Sequence, residues 1–242
     1  MRIVIDMQGA QTESRFRGIG RYTMSLTQAI VRNRGEHEVI LALSGLFPNT
    51  IEPIRAAFDG LLPQENIRVW HGVGPTRECD PANDARRQVS ECVREAAIAC
   101  MLPDVVLISS LFEGFGDDAT TSVGLFDEQT PTVCILYDLI PLISPDDNFK
   151  SNSIIIAYYQ RKLASLKRAK ALLAISASSR FEAVDALQYP PEAITTISSG
   201  YDPRFQPMLL SPTQRAVFLA RLGINKAYVM YTGGADERKN LH

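Results

Sequence analysis

The 242-residue sequence predicts an α/β protein built on a doubly wound parallel sheet. Apolar runs of four to six residues alternate with helical patterns along the chain. Those runs are continuously apolar rather than alternating, as strands covered on both faces must be. A pair of glycines, Gly18 and Gly20, falls between the first strand and the first helix. There, backbone N–H groups with no side chain over them would stand at a positive helix terminus and suit a phosphate or carboxylate.

Ile3-Val4-Ile5 reads as the first strand, and further strands are expected over 39–43, 67–70, 105–108, 132–136, 172–175 and 194–197. Helices are expected over 22–33, 50–59, 83–101, 152–169 and 179–187, the first from the spacing of Tyr22, Leu26, Ala29 and Ile30. Ser179 with Glu182 has the form of a capping box; Ser211-Pro212-Thr213-Gln214 repeats it, with Pro at the first helical position, for a helix running to Leu222. The glycine pair departs from the dinucleotide fingerprint, which stays the lesser reading. Thr23 takes the place of the third Gly, and about ten residues, including Arg15 and Arg17, separate strand from glycines.

Gly200-Tyr201-Asp202-Pro203-Arg204-Phe205-Gln206-Pro207 is rich in turn formers and suits a crossing between domains, taken as 1–205 and 206–242. Beyond it, 228–231 reads as a strand, and Ala235-Asp236-Glu237-Arg238-Lys239-Asn240 opens a further helix that His242 cuts short. A strand without a partner cannot form a domain, so the second unit is expected to be truncated.

An apolar fraction of 45% is ample for a core, and 25 basic against 27 acidic residues, a formal charge of −2, give no global reason to expect nucleic acid. The start lacks the features of a secretory signal and no apolar stretch approaches a membrane span, so a cytoplasmic protein is expected. Cys79, Cys92, Cys100 and Cys134 show no metal spacing and are expected as free buried thiols, with no metal bound. In the helix over 152–169, Ile155, Tyr159, Leu163 and Leu166 form one stripe, with Arg161, Lys167 and Arg168 off it. Such a stripe either packs on the sheet, the favoured reading, or lies on a membrane surface.

Six segments, in order, resemble the N-terminal half of a GT-B glycosyltransferase of family 4. They are Arg17-Gly18-Ile19-Gly20-Arg21-Tyr22; Phe112-Glu113-Gly114; Tyr137-Asp138-Leu139-Ile140-Pro141-Leu142; Leu173-Ala174-Ile175-Ser176 through Ser179-Arg180; Ser199-Gly200-Tyr201-Asp202 with Phe205-Gln206-Pro207; and Tyr231-Thr232-Gly233-Gly234 with Glu237-Arg238-Lys239-Asn240. The first and third most resemble the bacterial mannosyltransferases that build polymannose O-antigens. The resemblance implies a Rossmann-like acceptor-side domain followed by the start of a donor-binding domain. It implies a retaining transferase that moves a sugar, mannose from GDP-mannose, to a growing polysaccharide or lipid-linked acceptor, with no cofactor beyond the donor; a lipid-linked acceptor makes peripheral membrane contact the alternative reading of the helix over 152–169. A non-catalytic binding module on the same sheet is the alternative.

By the same resemblance, Arg238 and Lys239 hold the donor diphosphate together with Gly18 and Gly20; read from the residues alone, the basic pair is a solvated helix start. Tyr137 and Asp138 stand where many relatives carry His-Asp facing the sugar, and a Tyr there hydrogen-bonds a hydroxyl without titrating near neutrality. Arg21, Glu113 and Asp117 are candidates for binding the acceptor. For Glu113 and the Asp117-Asp118 pair, a polar turn remains the competing reading.

Overall fold

The computed structural model describes residues 1–145, 149, 152–201 and 205–233. Among them, seven strands pair in parallel in the order β3-β2-β1-β4-β5-β6-β7. These are β1 Arg2–Asp6, β2 Glu38–Ser44, β3 Ile67–Trp70, β4 Val105–Ile108, β5 Thr132–Leu136, β6 Ala171–Ala174 and β7 Ile194–Thr196. Each of the seven expected strands is present within one or two residues. The helices of this unit are α1 Gly18–Arg32, α2 Pro48–Ala57, α3 Asp84–Ala99, α4 Ile140–Ile143, α5 Ser153–Leu166 and α6 Ala177–Leu187.

Successive side chains of a strand point to opposite faces, which divides the core in two. Val4, Ile40, Val106, Ile108 and Leu172 meet Ile98 of α3, Leu166 of α5 and Ala183 and Leu187 of α6. Ile5, Leu41, Leu107 and Ile135 meet Val31 of α1 and Ile54 of α2, with Phe58 between the layers fully buried. The sheet is therefore covered on both sides, and the strands read as unbroken apolar runs for that reason. Leu166 and Leu163 of α5 pack into the first layer, so the stripe of that helix faces the sheet. No described helix is long and apolar enough to cross a membrane.

The edges of the sheet are short. β3 has four residues and β7 three, the latter preceded by Pro190 and Pro191.

A buried ion pair fastens the middle strand to the helix that crosses the sheet. Asp6, at the end of β1, lies 2.5 Å from the Arg94 guanidinium on α3, and both are 1% exposed. Asp6 also accepts the Gln8 backbone N–H at 2.9 Å, and Arg94 Nη1 donates to the Ser122 carbonyl at 3.2 Å.

Several expectations are corrected. Helix α1 begins at Gly18, four residues earlier than the apolar spacing indicated, so Gly18 and Gly20 form its first turn instead of a loop ahead of it. The N-cap of α6 is Ser176, whose side chain accepts from the Ser179 N–H at 3.0 Å; Ser179 lies inside the helix, and Glu182 is turned away to accept the Leu139 N–H at 2.8 Å. The four thiols are free, but only Cys134 is buried, its thiol pushed up to about 12 by burial, while Cys79 and Cys100 are exposed.

The chain divides into two compact units, Met1–Gly200 and Tyr201–His242. In the second, helix α7 Pro212–Arg221 carries the expected capping box: the Gln214 N–H donates to Ser211 Oγ at 3.2 Å and the Ser211 N–H to Gln214 Oε1 at 2.9 Å. Residues 228–231 form no strand, contrary to expectation; Val229 is fully exposed, and among the described residues no strand pairs with the segment.

Removing one partner of a buried pair leaves an uncompensated charge. Arg94→Met is expected to destabilise the fold by about 3–5 kcal/mol in urea titrations, and adding Asp6→Asn should recover part of that loss.

Candidate functional site

Strand order reverses between β1 and β4, and in open α/β sheets ligands lie outside the carboxyl ends of the strands at such a point. Two loops meet there, residues 7–17 leading into α1 and residues 109–131 running from β4 to β5 without a regular helix. Buried amides fasten the first loop. Gln8 Nε2 donates to the Thr120 carbonyl at 2.8 Å and Gln8 Oε1 accepts from the Thr120 N–H at 2.9 Å. Gln11 makes the corresponding pair with β2: its Nε2 donates to the Ser44 carbonyl at 3.1 Å, and the Ser44 N–H donates to its Oε1 at 2.7 Å.

Glu113 joins the two loops. Its Oε2 accepts Thr12 Oγ1–H at 2.9 Å and Ser14 Oγ–H at 3.1 Å, while Oε1 accepts Ser110 Oγ–H at 2.8 Å. The residue is only 5% exposed. Burial pushes its carboxyl up from the ordinary range, against the opposing pull of the three hydroxyls.

The glycines divide in role. A Cβ on Gly20 would meet the Ser14 carbonyl oxygen at 2.5 Å and collide with the Arg15 backbone, so its bareness is demanded by the turn Glu13–Phe16 packing on α1. A Cβ on Gly18 meets nothing within 4 Å. Arg17, the N-cap, is extended and gives no side-chain hydrogen bond to the first turn, so the leading N–H groups of this 15-residue helix have no side-chain cap. Arg17 and Arg21 are exposed beside them, and Arg15 lies 4.3 Å from the ring of Phe16.

Tyr137 is half-buried. Its hydroxyl donates to the Ser109 carbonyl at 3.1 Å, its ring meets Tyr22 edge-on at 5.7 Å, and burial raises the phenol above its ordinary value. It therefore keeps its proton near neutrality. Asp138 is exposed and accepts the Ile140 N–H at 3.3 Å, at the start of α4. Asp117 is partly buried and accepts the Ala119 N–H at 2.9 Å; burial raises its carboxyl. Asp118 accepts the Thr76 N–H at 2.8 Å, tying the loop to residues ahead of α3. Sheet topology thus brings Gly18, Gly20, Arg21, Glu113, Asp117, Tyr137 and Asp138 to the carboxyl edge of the sheet. Arg238 and Lys239 lie outside the described residues.

Sequence reasoning missed a cluster of buried charge behind this edge. Arg161 pairs with Glu78 and, at 2.7 Å, with Glu91; Arg87 reaches Glu91 at 3.1 Å. Arg161 is thus engaged with two carboxylates of other segments. Beside it, Lys162 is 1% exposed and donates to the Thr121 carbonyl at 2.9 Å and to Thr121 Oγ1. Burial, aided by Arg161, lowers its ammonium to about 7, against the pull of Glu91 and Glu78. The signal was available: Lys162 sits four residues from both Tyr158 and Leu166, which are buried on the same helix. Glu95 likewise anchors the second loop, its Oε2 accepting the N–H groups of Leu125, Phe126 and Asp127 at 2.7–3.1 Å. A cleft of about 590 Å³ lies at the opposite edge of the sheet, lined in part by Thr132, Lys167, Lys170 and Tyr189. It is far from the strand carboxyl ends, and the switch point has the stronger physical claim on a ligand.

No family model matches the chain. In sequence it is 32% identical to a serotype-specific mannosyltransferase WbdA of Escherichia coli over 247 residues, covering all of this chain and 29% of the relative. A second WbdA of that organism is 30% identical over 222 residues, 89% of this chain and 26% of the relative. The chain thus spans under a third of the length of these relatives. Among solved structures, a putative UDP-N-acetylglucosamine 2-epimerase from Listeria monocytogenes superposes with a TM-score of 0.50 at 12% identity, over 80% of this chain and 44% of that one, a likeness of fold alone. The class is therefore that of an α/β protein on a Rossmann-like parallel sheet. In sequence, the chain is similar along its whole length to a serotype-specific mannosyltransferase.

Gly20→Ala is expected to destabilise the fold by about 1–3 kcal/mol, whereas Gly18→Ala should shift it by less than about 1 kcal/mol; thermal unfolding of the two variants separates them.

Lys162 provides a pH test. Its folded ammonium deprotonates at about 7, while an unfolded lysine holds its proton to about 10.4. Between those values unfolding takes up a proton, so stability rises with pH, with a slope of up to about 1.4 kcal/mol per unit. Denaturant titrations from pH 7 to 10 should show that rise in the wild type and lose it in Lys162→Met.

Proposed function

We propose that this chain is the acceptor-side domain, with the start of a donor-binding domain, of a retaining glycosyltransferase that passes mannose from GDP-mannose to a growing polysaccharide or lipid-linked glycan. The observation that carries the reading is the sequence similarity to WbdA mannosyltransferases across the whole chain. The helix terminus at the switch point supports it.

Glycosyl transfer must stabilise a departing diphosphate and an oxocarbenium-like sugar, which calls for fixed donors and cations. In this reading the N–H groups at Gly18 and Gly20 face the donor diphosphate, and Arg238 and Lys239 neutralise it as charge builds on the leaving group. Tyr137 hydrogen-bonds the sugar, with Asp138 beside it. Arg21 and Asp117 are within reach of acceptor hydroxyls, and Glu113 acts in the loop that carries Asp117. No cofactor beyond the nucleotide sugar is invoked. The reaction takes place in the cytoplasm, at the inner face of the membrane where lipid-linked acceptors are held.

A nucleotide-sugar panel on the full-length protein, with the product linkage determined by NMR, tests the donor and the stereochemistry. Turnover with GDP-mannose and an α-linked product support the reading; absence of turnover with every donor returns the chain to a binding module. Arg238→Ala or Lys239→Ala should lower kcat on the order of 10²-fold. Gly18→Ala should raise the donor KM while leaving the fold intact, because its methyl group occupies space the protein itself leaves empty.

A further inference from the structure

We propose that Glu113 is a positioning residue that sets the donor-binding end of α1 by latching the β1–α1 loop to the β4–β5 loop; this rests on the glycosyltransferase reading for its catalytic consequence, not for its structural one. Three hydroxyls from two loops converge on one carboxylate: Thr12 at 2.9 Å, Ser14 at 3.1 Å and Ser110 at 2.8 Å. At 5% exposure, with both oxygens engaged, Glu113 works through the groups that hold it.

The latch continues in both directions. On one side, Thr12 Oγ1 also accepts the Ser14 N–H at 3.2 Å, capping the turn Glu13–Phe16. That turn lies against Gly20 in the first turn of α1, close enough that a single Cβ would strike Ser14 and Arg15. Arg15 Nη1 closes the loop on itself by donating to the Gln11 carbonyl at 2.8 Å. A displacement of Thr12 or Ser14 is therefore carried by packed backbone to the leading N–H groups of α1. On the other side, the Glu113 carbonyl accepts Tyr158 Oη–H at 3.4 Å, and the Gly114 carbonyl accepts the Glu78 N–H at 3.0 Å. The anchor is thus fixed to α5 and to the segment ahead of α3, and the short turn hangs from it.

Hydrogen bonds to a charged group are among the stronger ones, so losing three at once should be visible. In the full-length protein, Glu113→Ala should raise the KM for GDP-mannose on the order of 10-fold with the acceptor KM unchanged. Thr12→Val, which removes one hydroxyl and leaves the carboxylate in place, should reproduce part of that rise. Glu113→Gln, whose carboxamide still bridges the rotatable hydroxyls, should stay within about threefold of wild type. A raised acceptor KM with an unchanged donor KM would overturn the proposal in favour of direct acceptor contact. The second readout needs no activity: amide hydrogen exchange over residues 13–20 of the 242-residue chain should quicken in Glu113→Ala and in Ser14→Ala, which removes a hydroxyl that donates to Glu113 and spares the Thr12 cap, with the double variant no faster than Glu113→Ala. Additive effects, or exchange unchanged in both single variants, overturn the latch. If wild type transfers no sugar but the exchange pattern holds, the latch stands and the glycosyltransferase reading falls.

Discussion

The Asp6–Arg94 pair is the constraint around which the rest of the sheet edge is arranged. A carboxylate at the end of a central strand, 1% exposed, cannot persist without a compensating charge and hydrogen bonds. Arg94 supplies the charge from α3, and Gln8 supplies both backbone and side-chain N–H. Each group that satisfies Asp6 is itself committed elsewhere. Arg94 holds the Ser122 carbonyl and Gln8 holds Thr120, so one buried charge fixes the helix that crosses the sheet, the start of the β1–α1 loop and the middle of the β4–β5 loop.

The same economy recurs one layer out. Glu113 ties hydroxyls from both loops, Glu95 gathers consecutive N–H groups of the β4–β5 loop, and Lys162 holds Thr121. A 23-residue connection, 109–131, has no helix or strand of its own. It is ordered instead by side chains of α3, α5 and the β1 loop that satisfy its backbone from outside. The site is thus a set of loops on a rigid frame, with the frame reaching up to hold them.

What was legible in the sequence follows from which physical signal dominates. Strands buried on both faces print an unbroken apolar run, so the strand at 105–108 was readable from Val105 to Ile108 without help from its neighbours. The start of α1 was not, because its first turn carries two glycines and no apolar periodicity; what makes it a helix there is the turn packed on Gly20. Ser176 and Ser179 are both capping residues three apart, and local pattern alone cannot choose between them. Among the charges, α5 shows the limit most clearly. Arg161, off the apolar stripe, reads locally as a solvated charge, yet it pairs with Glu78 and Glu91, some seventy to eighty residues distant in sequence. Long-range compensation of this kind leaves no mark on local spacing.

The brevity of the outer strands bears on how the molecule behaves among its own copies. A parallel sheet with long, flat margins offers unpaired N–H and C=O groups on which a second sheet can grow. Here β7 offers three residues behind two prolines, and β3 offers four, with the exposed Arg68 among them. The two margins present little backbone for a foreign strand to add to. A chain whose interior strands are almost wholly apolar is in this way kept from templating its own aggregation, and the protection resides in elements that contribute least to the site.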